Sequence, residues 1–507
     1  MSSRISVASI LAESANRYPE TDALVLGEVR VSYAVAWDQA RRYAAVLRDR
    51  GIKPGDRVAV LIPNVPQFAF AYYGILALGA CVVPIHSLLK SEEIAYALKD
   101  SGSKVLIAAA PLIGEGLPAA LELGVDIVSV LDGGPEEIVR LESLAAVATP
   151  IETYLARKPE DEAVILYTSG TTGKPKGAIL TQDNILWNVQ TVAFDTIELK
   201  HGDVLLGALP LFHSFGQTVV LNAGFRVGAT IALVPRFEPG AVLDLLLKEK
   251  VTIMVGVPTM FIGLLEAAKT NSIRPPLRIA VSGGSALPLA VIDKVKEVFG
   301  VDIYEGYGLS ETSPVATFNQ ERYGRKPGTV GCAIWGVDVE IADPEISDRI
   351  EFLPVGERGE IVIRGSNVFN GYLNKPEETA QVVIDGWFRS GDIGLKDDEG
   401  FISIVDRTKD MIIRGGFNVY PREVEEVINR YPGIKQVAVI GVPDDVHGEE
   451  ILAVVIADES VVIDELREWT KGHIGSHKYP RRIEFIDEMP LGPSGKVLKR
   501  VLVERFS

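Results

Sequence analysis

The residues from Tyr167 to Gly177 read "YTSGTTGKPKG" and follow the apolar run "AVIL". Three glycines, two lysines and four hydroxyl side chains besides the tyrosine make this a segment for holding anions, phosphate above all. It fits neither of the familiar phosphate fingerprints, which are G-x-x-x-x-G-K-[ST] and G-x-G-x-x-G, each opening a helix. After Gly177 comes a second short apolar run, "AIL", and then "TQDNILWNV", where Thr181 is placed to cap a helix. The spacing therefore predicts a loop between two strands, with no helix dipole aimed at the anion. Backbone N–H groups freed by Gly170 and Gly173 would do the binding, with the hydroxyls of Thr168, Ser169, Thr171 and Thr172 and the ammonium groups of Lys174 and Lys176. A plain Gly/Ser/Thr hairpin turn is the alternative that this composition leaves open.

The elements around the loop alternate. "RVAVLIPN" precedes "VPQFAFAYYGILALGA", "CVVPI" precedes "SEEIAYALKDSG", and "KVLIAAA" follows, a strand-then-helix rhythm that predicts α/β architecture. A chain of 507 residues is long enough for more than one domain. We place a boundary within "DRTKD", with residues 1–406 forming a large α/β domain and residues 407–507 a compact α+β unit, the charged junction acting as a hinge. A net charge of -17 with no dense basic run argues against a nucleic-acid partner. The start "MSSRISVASILAESANRYPETD" has no long apolar core, which predicts a cytoplasmic protein. The uncharged stretch Val204 to Phe225 is long enough to cross a bilayer, yet it holds Pro210, His213, Ser214, Gln217 and Asn222, so it reads as pocket lining and not as a transmembrane segment. Two cysteines, Cys81 and Cys332, suggest neither a disulfide framework nor a zinc site.

The loop string resembles the signature of the AMP-forming acyl-adenylating superfamily, which includes acyl-CoA synthetases, adenylation domains and luciferases. Six more segments match in the same order: "LPLFHSFG", "SGGSALP", "EGYGLSET", "WFRSGDIG", "DRTKDMIIRGGFNVYPREVE" and "PLGPSGKVLKR". The resemblance covers essentially the whole chain. It implies a large N-terminal domain of several α/β subdomains with parallel-rich sheets and a small β-barrel-like part, followed by a mobile C-terminal α+β domain.

It also implies a two-step reaction, in which a carboxylate attacks the α-phosphate of ATP to give an acyl-adenylate and pyrophosphate, and coenzyme A then takes the acyl group. The acid is ionised at neutral pH and needs no general base, so the burden falls on positive charge near phosphorus. By resemblance, Lys496 is the adenylation lysine. Glu311 holds Mg2+ and Ser310 lies by the α-phosphate. Tyr307 packs on adenine, with Glu305 and Gly306 at its edge and Gly283, Gly284 and Ser285 opposite. Asp392 takes the ribose hydroxyls with Arg407 as its partner. Lys409 is the hinge residue, and Gly415 and Gly416 pass the pantetheine arm. His213 resembles a gate between nucleotide and acid, read as positioning because no orienting carboxylate is visible beside it.

The acid is the least determined participant. "HSFGQTVVLNAGF" and "MVGVPTMFIGLL" are mostly apolar and offer no fixed cation for a second carboxylate, which favours a medium- or long-chain fatty acid, with an aryl or cinnamoyl-type acid next. Transfer to a carrier protein or an amine, and a catalytically silent nucleotide-binding regulator, are the competing readings. The sequence leaves a homodimer open.

Overall fold

The computed structural model of the chain describes residues 5–168, 175–269, 274–407, 410–414, 417–444, 447–492 and 496–507. Short β-branched runs and apolar helices alternate as expected and assemble into four sheets. In a six-stranded sheet, Arg57–Leu61, Cys81–Pro84, Val105–Ala109 and Asp126–Val130 join Glu162–Thr168 in parallel. The edge strand Lys176–Thr181 then returns antiparallel to Glu162–Thr168, with Thr168 opposite Lys176. Tyr167, Thr168, Lys176 and Gly177 of "YTSGTTGKPKG" thus lie on a strand pair. Thr181 caps the helix Gln182–Thr191, its hydroxyl accepting from the Asn184 N–H.

Helix Pro66–Ala77 is apolar nearly all round and is accordingly buried. Gly74 lets it approach helix Tyr33–Asp49 closely, because a Cβ there would lie 2.7 Å from the Ala40 carbonyl oxygen. A nine-stranded sheet contains Ile253–Gly256, Ile279–Ser282 and Ile303–Gly308 in parallel, then Val315–Phe318 antiparallel to the last of these. The stretch that could have crossed a membrane becomes the strand Val204–Gly207 and the helical segments Phe215–Asn222 and Ala223–Val227, largely buried. No helix among the described residues is long and apolar enough to cross a membrane.

The barrel-like part is a five-stranded antiparallel sheet built on Val337–Ala342, Gly359–Gly365, Trp387–Lys396 and Ile402–Arg407. Its last strand ends at the junction. Arg407 stands opposite Asp392, whereas the next strand, Ile412–Arg414, pairs with Gly448–Ala457 in the fourth sheet. That C-terminal sheet has a core on each face. Val424, Ile428 and Leu466, from helices Pro421–Ile428 and Ile463–His473, cover one side, and Leu502, from helix Lys499–Phe506, covers the other.

Candidate active site

Where the first three sheets meet the C-terminal unit there is a cleft of about 2420 Å³. Its lining brings together Thr168, Lys176, His213, Gly283, Gly284, Ser285, Gly306, Tyr307, Ser310, Glu311, Asp392 and Lys496, residues far apart in the chain. Glu305 lies just beneath, at 5% exposure. Arg407 is placed by its backbone alone, opposite Asp392. Ser169, Gly170, Thr171, Thr172, Gly173, Lys409, Gly415 and Gly416 fall outside the described residues.

Strand ends set one side of the cleft. Tyr307, at the end of Ile303–Gly308, donates its hydroxyl to Asp392 Oδ2 at 2.7 Å, so the aromatic face and the carboxylate are fixed relative to each other. Asp392 sits on strand Trp387–Lys396, directly after the positive-φ Gly391, and the strand is held from below. The Gly391 N–H donates to Glu360 Oε1 at 2.9 Å, and the other carboxylate oxygen of Glu360 is paired with the buried Arg389 at 2.6 Å. Arg389 in turn donates to the Asp343 and Ile346 carbonyls, which satisfies a guanidinium that would otherwise be costly to bury. The sequence segment "WFRSGDIG" contains Arg389, but its partner Glu360 lies 29 residues earlier on a neighbouring strand.

Glu311 is held on two sides. The Tyr372 hydroxyl donates to its Oε1 at 2.9 Å, and Thr168 reaches the same oxygen at 3.5 Å. Lys176 lies over the Tyr372 ring, 5.1 Å from its centre. The result is a cluster of oxygen groups beside a cation, a set that fits a hard divalent ion and phosphate together. Tyr372, which sequence reasoning passed over, is the anchor of this cluster, and its own ionisation is pushed up by burial and by Glu311.

The floor needs glycine. A Cβ at Gly283 would lie 3.0 Å from the Phe215 ring, and one at Gly284 would lie 3.2 Å from Lys496 Cε. Gly284 has φ +81°, a conformation that side chains resist. Lys496 therefore reaches into the cleft from the C-terminal unit and lies along the glycine turn of the large part. Its ammonium group adds to burial in depressing the His213 imidazole, which falls to about 4. His213 is thus neutral at physiological pH. Its Nδ1 accepts the Phe215 N–H at 3.2 Å, so the proton resides on Nε2 and the ring presents a donor. Glu305 shifts the opposite way, up to about 7, because burial outweighs the Arg422 guanidinium and the Gly328 and Leu287 N–H groups.

The C-terminal unit is held by helix Pro421–Ile428. Arg422 Nη1 donates to the Ile404 carbonyl at 2.7 Å, and Glu423 pairs with Arg358 at 2.9 Å.

Comparison with known proteins gives the same outline. The family model described as "AMP-binding enzyme" matches residues 11–373, and "AMP-binding enzyme C-terminal domain" matches 423–496. A long-chain-fatty-acid–CoA ligase of Bacillus subtilis is 36% identical, covering 98% of this chain and 94% of its own. A feruloyl-CoA synthase of an Amycolatopsis species is 38% identical over 96% of each chain. Among solved structures, ATP-bound MatB from Rhodopseudomonas palustris superposes with a TM-score of 0.90 at 32% identity, covering 99% of both chains. The apo form of that protein gives 0.79.

Proposed function

The chain belongs to the AMP-binding enzyme family as an acyl-CoA synthetase, and from that premise we propose that it activates a medium- or long-chain fatty acid. In the first step a carboxylate oxygen bonds to the α-phosphorus of ATP as the bond to the β-phosphate breaks, and pyrophosphate leaves. In the second, the sulfur of CoA takes the acyl group, its proton goes to solvent, and AMP leaves.

The observation that carries this reading is Lys496 lying beside Gly284 at the head of a cleft that also holds Tyr307, Asp392 and Glu311. Lys496 offsets charge that develops on the α-phosphate, with Ser310 alongside. Tyr307 and Asp392 seat the adenosine, and Gly283, Gly284 and Ser285 face it. Glu311 and Thr168 would hold magnesium, which when bound neutralises phosphate charge. The donor Nε2 of His213 orients the acid's oxygen, a role that suits a neutral ring better than proton abstraction from the thiol. The rim cations Lys269, Lys435 and Lys499 are committed to Glu266, Asp458 and Glu425. Together with the apolar reach of Val192, Phe215, Val219 and Ile262, this supports a monocarboxylate over a diacid. The feruloyl-CoA synthase relative favours an arylpropenoic acid as the second reading.

Incubation with ATP, magnesium and a panel of acids, with and without CoA, tests the proposal through pyrophosphate and thioester. Lys496→Ala should slow pyrophosphate release by about 10²–10³-fold and leave thioester formation from supplied acyl-adenylate in place. Equal loss of both steps counts against the assignment.

A further inference from the structure

Asn64 stands in the turn between strand Arg57–Leu61 and helix Pro66–Ala77, at 5% exposure. Its side chain makes three bonds to one distant segment of main chain. Nδ2 donates to the Gly207 carbonyl at 2.9 Å and to the Leu209 carbonyl at 2.8 Å, while Oδ1 accepts the Leu211 N–H at 2.9 Å. Two carbonyls facing the NH2 and one N–H facing the oxygen form a pattern that a short amide matches and a carboxylate or an alkyl group does not. The segment it grips leads to His213. The Pro210 carbonyl, between the gripped residues Leu209 and Leu211, accepts the His213 N–H at 3.1 Å, and the His213 carbonyl accepts the Gln217 N–H at 2.9 Å. Gly216 closes on the same turn, since a Cβ there would lie 2.8 Å from the Leu209 carbonyl oxygen. His213 is therefore one tight turn away from the clamped backbone.

The clamp joins two sheets. Asn64 follows a strand of the six-stranded sheet, whose pair Glu162–Thr168 and Lys176–Thr181 carries Thr168 and Lys176 to the Glu311 cluster. His213 follows Val204–Gly207 of the nine-stranded sheet, which also carries Tyr307. A second tie lies beside the first, where Phe212 packs on His86 with ring centres 4.5 Å apart, His86 following strand Cys81–Pro84 of the six-stranded sheet. The separation between the imidazole and the phosphate end of the cleft is thus set by contacts between sheets. Asn64 supplies the directional ones, because hydrogen bonds fix angle as well as distance. Reacting groups tolerate little error in placement, and a shift of about 1 Å can cost about 10²-fold in rate.

We infer that Asn64 is a positioning residue for adenylation, holding the His213 segment so that the imidazole Nε2 meets the carboxylate of the acid. The inference rests on the reading of His213 as the group that orients the acid. The test follows pyrophosphate release, with ATP, magnesium and the panel acid that the wild type uses fastest, in Asn64→Asp, Asn64→Leu, His213→Ala and the two double variants. Asn64→Asp keeps the acceptor for Leu211 and loses both donors, whereas Asn64→Leu keeps the bulk and loses all three bonds; melting temperatures check that each is folded. The expected result is a kcat lower by about 10- to 100-fold in the single Asn64 variants, with the KM for ATP within about twofold of the wild type's. In the His213→Ala background the same substitutions should cost less than about twofold, because residues that act as a unit do not add. An equal fold-loss in both backgrounds overturns the inference, as does an unchanged kcat or a rise in the KM for ATP that accounts for the loss. Failure of both single Asn64 variants to fold also overturns it, by reducing Asn64 to a stability residue. A His213→Ala enzyme as fast as the wild type would instead sink the reading of His213, and no pyrophosphate from the wild type with any acid would sink the ligase reading itself; either takes this inference with it.

Discussion

Glu305 shows how one side chain takes its properties from what is packed over it. It stands on the strand that carries Tyr307, yet its side chain lies under the cleft among Arg422, Glu426 and the N–H groups of Gly328 and Leu287. Burial raises it from 4.5 to about 7, so the stability it contributes is present below pH 4.5 and is lost as pH rises through 7. Glu305→Gln keeps an acceptor for Gly328 and removes the charge. Its unfolding free energy should exceed the wild type's increasingly from pH 5 to pH 8, by up to roughly 3 kcal/mol at about 1.4 kcal/mol per unit, as read from denaturant curves. No gain at pH 8 would overturn this. The motif strings named the residues that converge on the cleft, including Tyr307, Glu311, Asp392 and Lys496. They did not reveal Tyr372 or Glu360, because these act through partners far along the chain, and no local spacing encodes such pairing.

At the level of elements, the alternation of apolar runs with helical patterns was enough to predict the parallel sheets. The absence of a helix after "YTSGTTGKPKG" predicted the strand pair around it. Sheet order was illegible, since it depends on which strands become neighbours. The turn after Ile303–Gly308 illustrates how closely these pieces fit. A Cβ on Gly308 would fall 1.7 Å from the Pro314 carbonyl oxygen, main chain that cannot swing aside. Gly308→Ala should therefore cost about 3 kcal/mol or more and raise the KM for ATP by displacing the adjacent Tyr307. A chemical-denaturation midpoint equal to that of the wild type would show that the turn has slack.

Across the whole molecule, the C-terminal unit presents Lys496 to the cleft with its helix Pro421–Ile428 seated against the large part. The superposition, 0.90 on an ATP-bound relative and 0.79 on its apo form, fits a chain arranged for the first step. The seat is partly ionic and half exposed at Arg358, so each pair is worth at most about 1 kcal/mol. Glu423→Lys, which turns attraction to Arg358 and Lys478 into repulsion, should slow pyrophosphate release by up to about fivefold at low salt, with the deficit shrinking in about 1 M salt. A salt-independent deficit would point to damage within the helix instead. The nine-stranded sheet has a consequence for redesign. On Ile279–Ser282 and Ile303–Gly308, alternate positions face opposite ways: Ile279, Val281 and Tyr304 share one face of the sheet, while Ser282 and Glu305 share the other. A mutational library restricted to Val281 and Phe318, which share that face and line the cleft, should change the accepted acid and leave the glycine turn and its lysine untouched, so that new thioester products become reachable through two codons on two short strands.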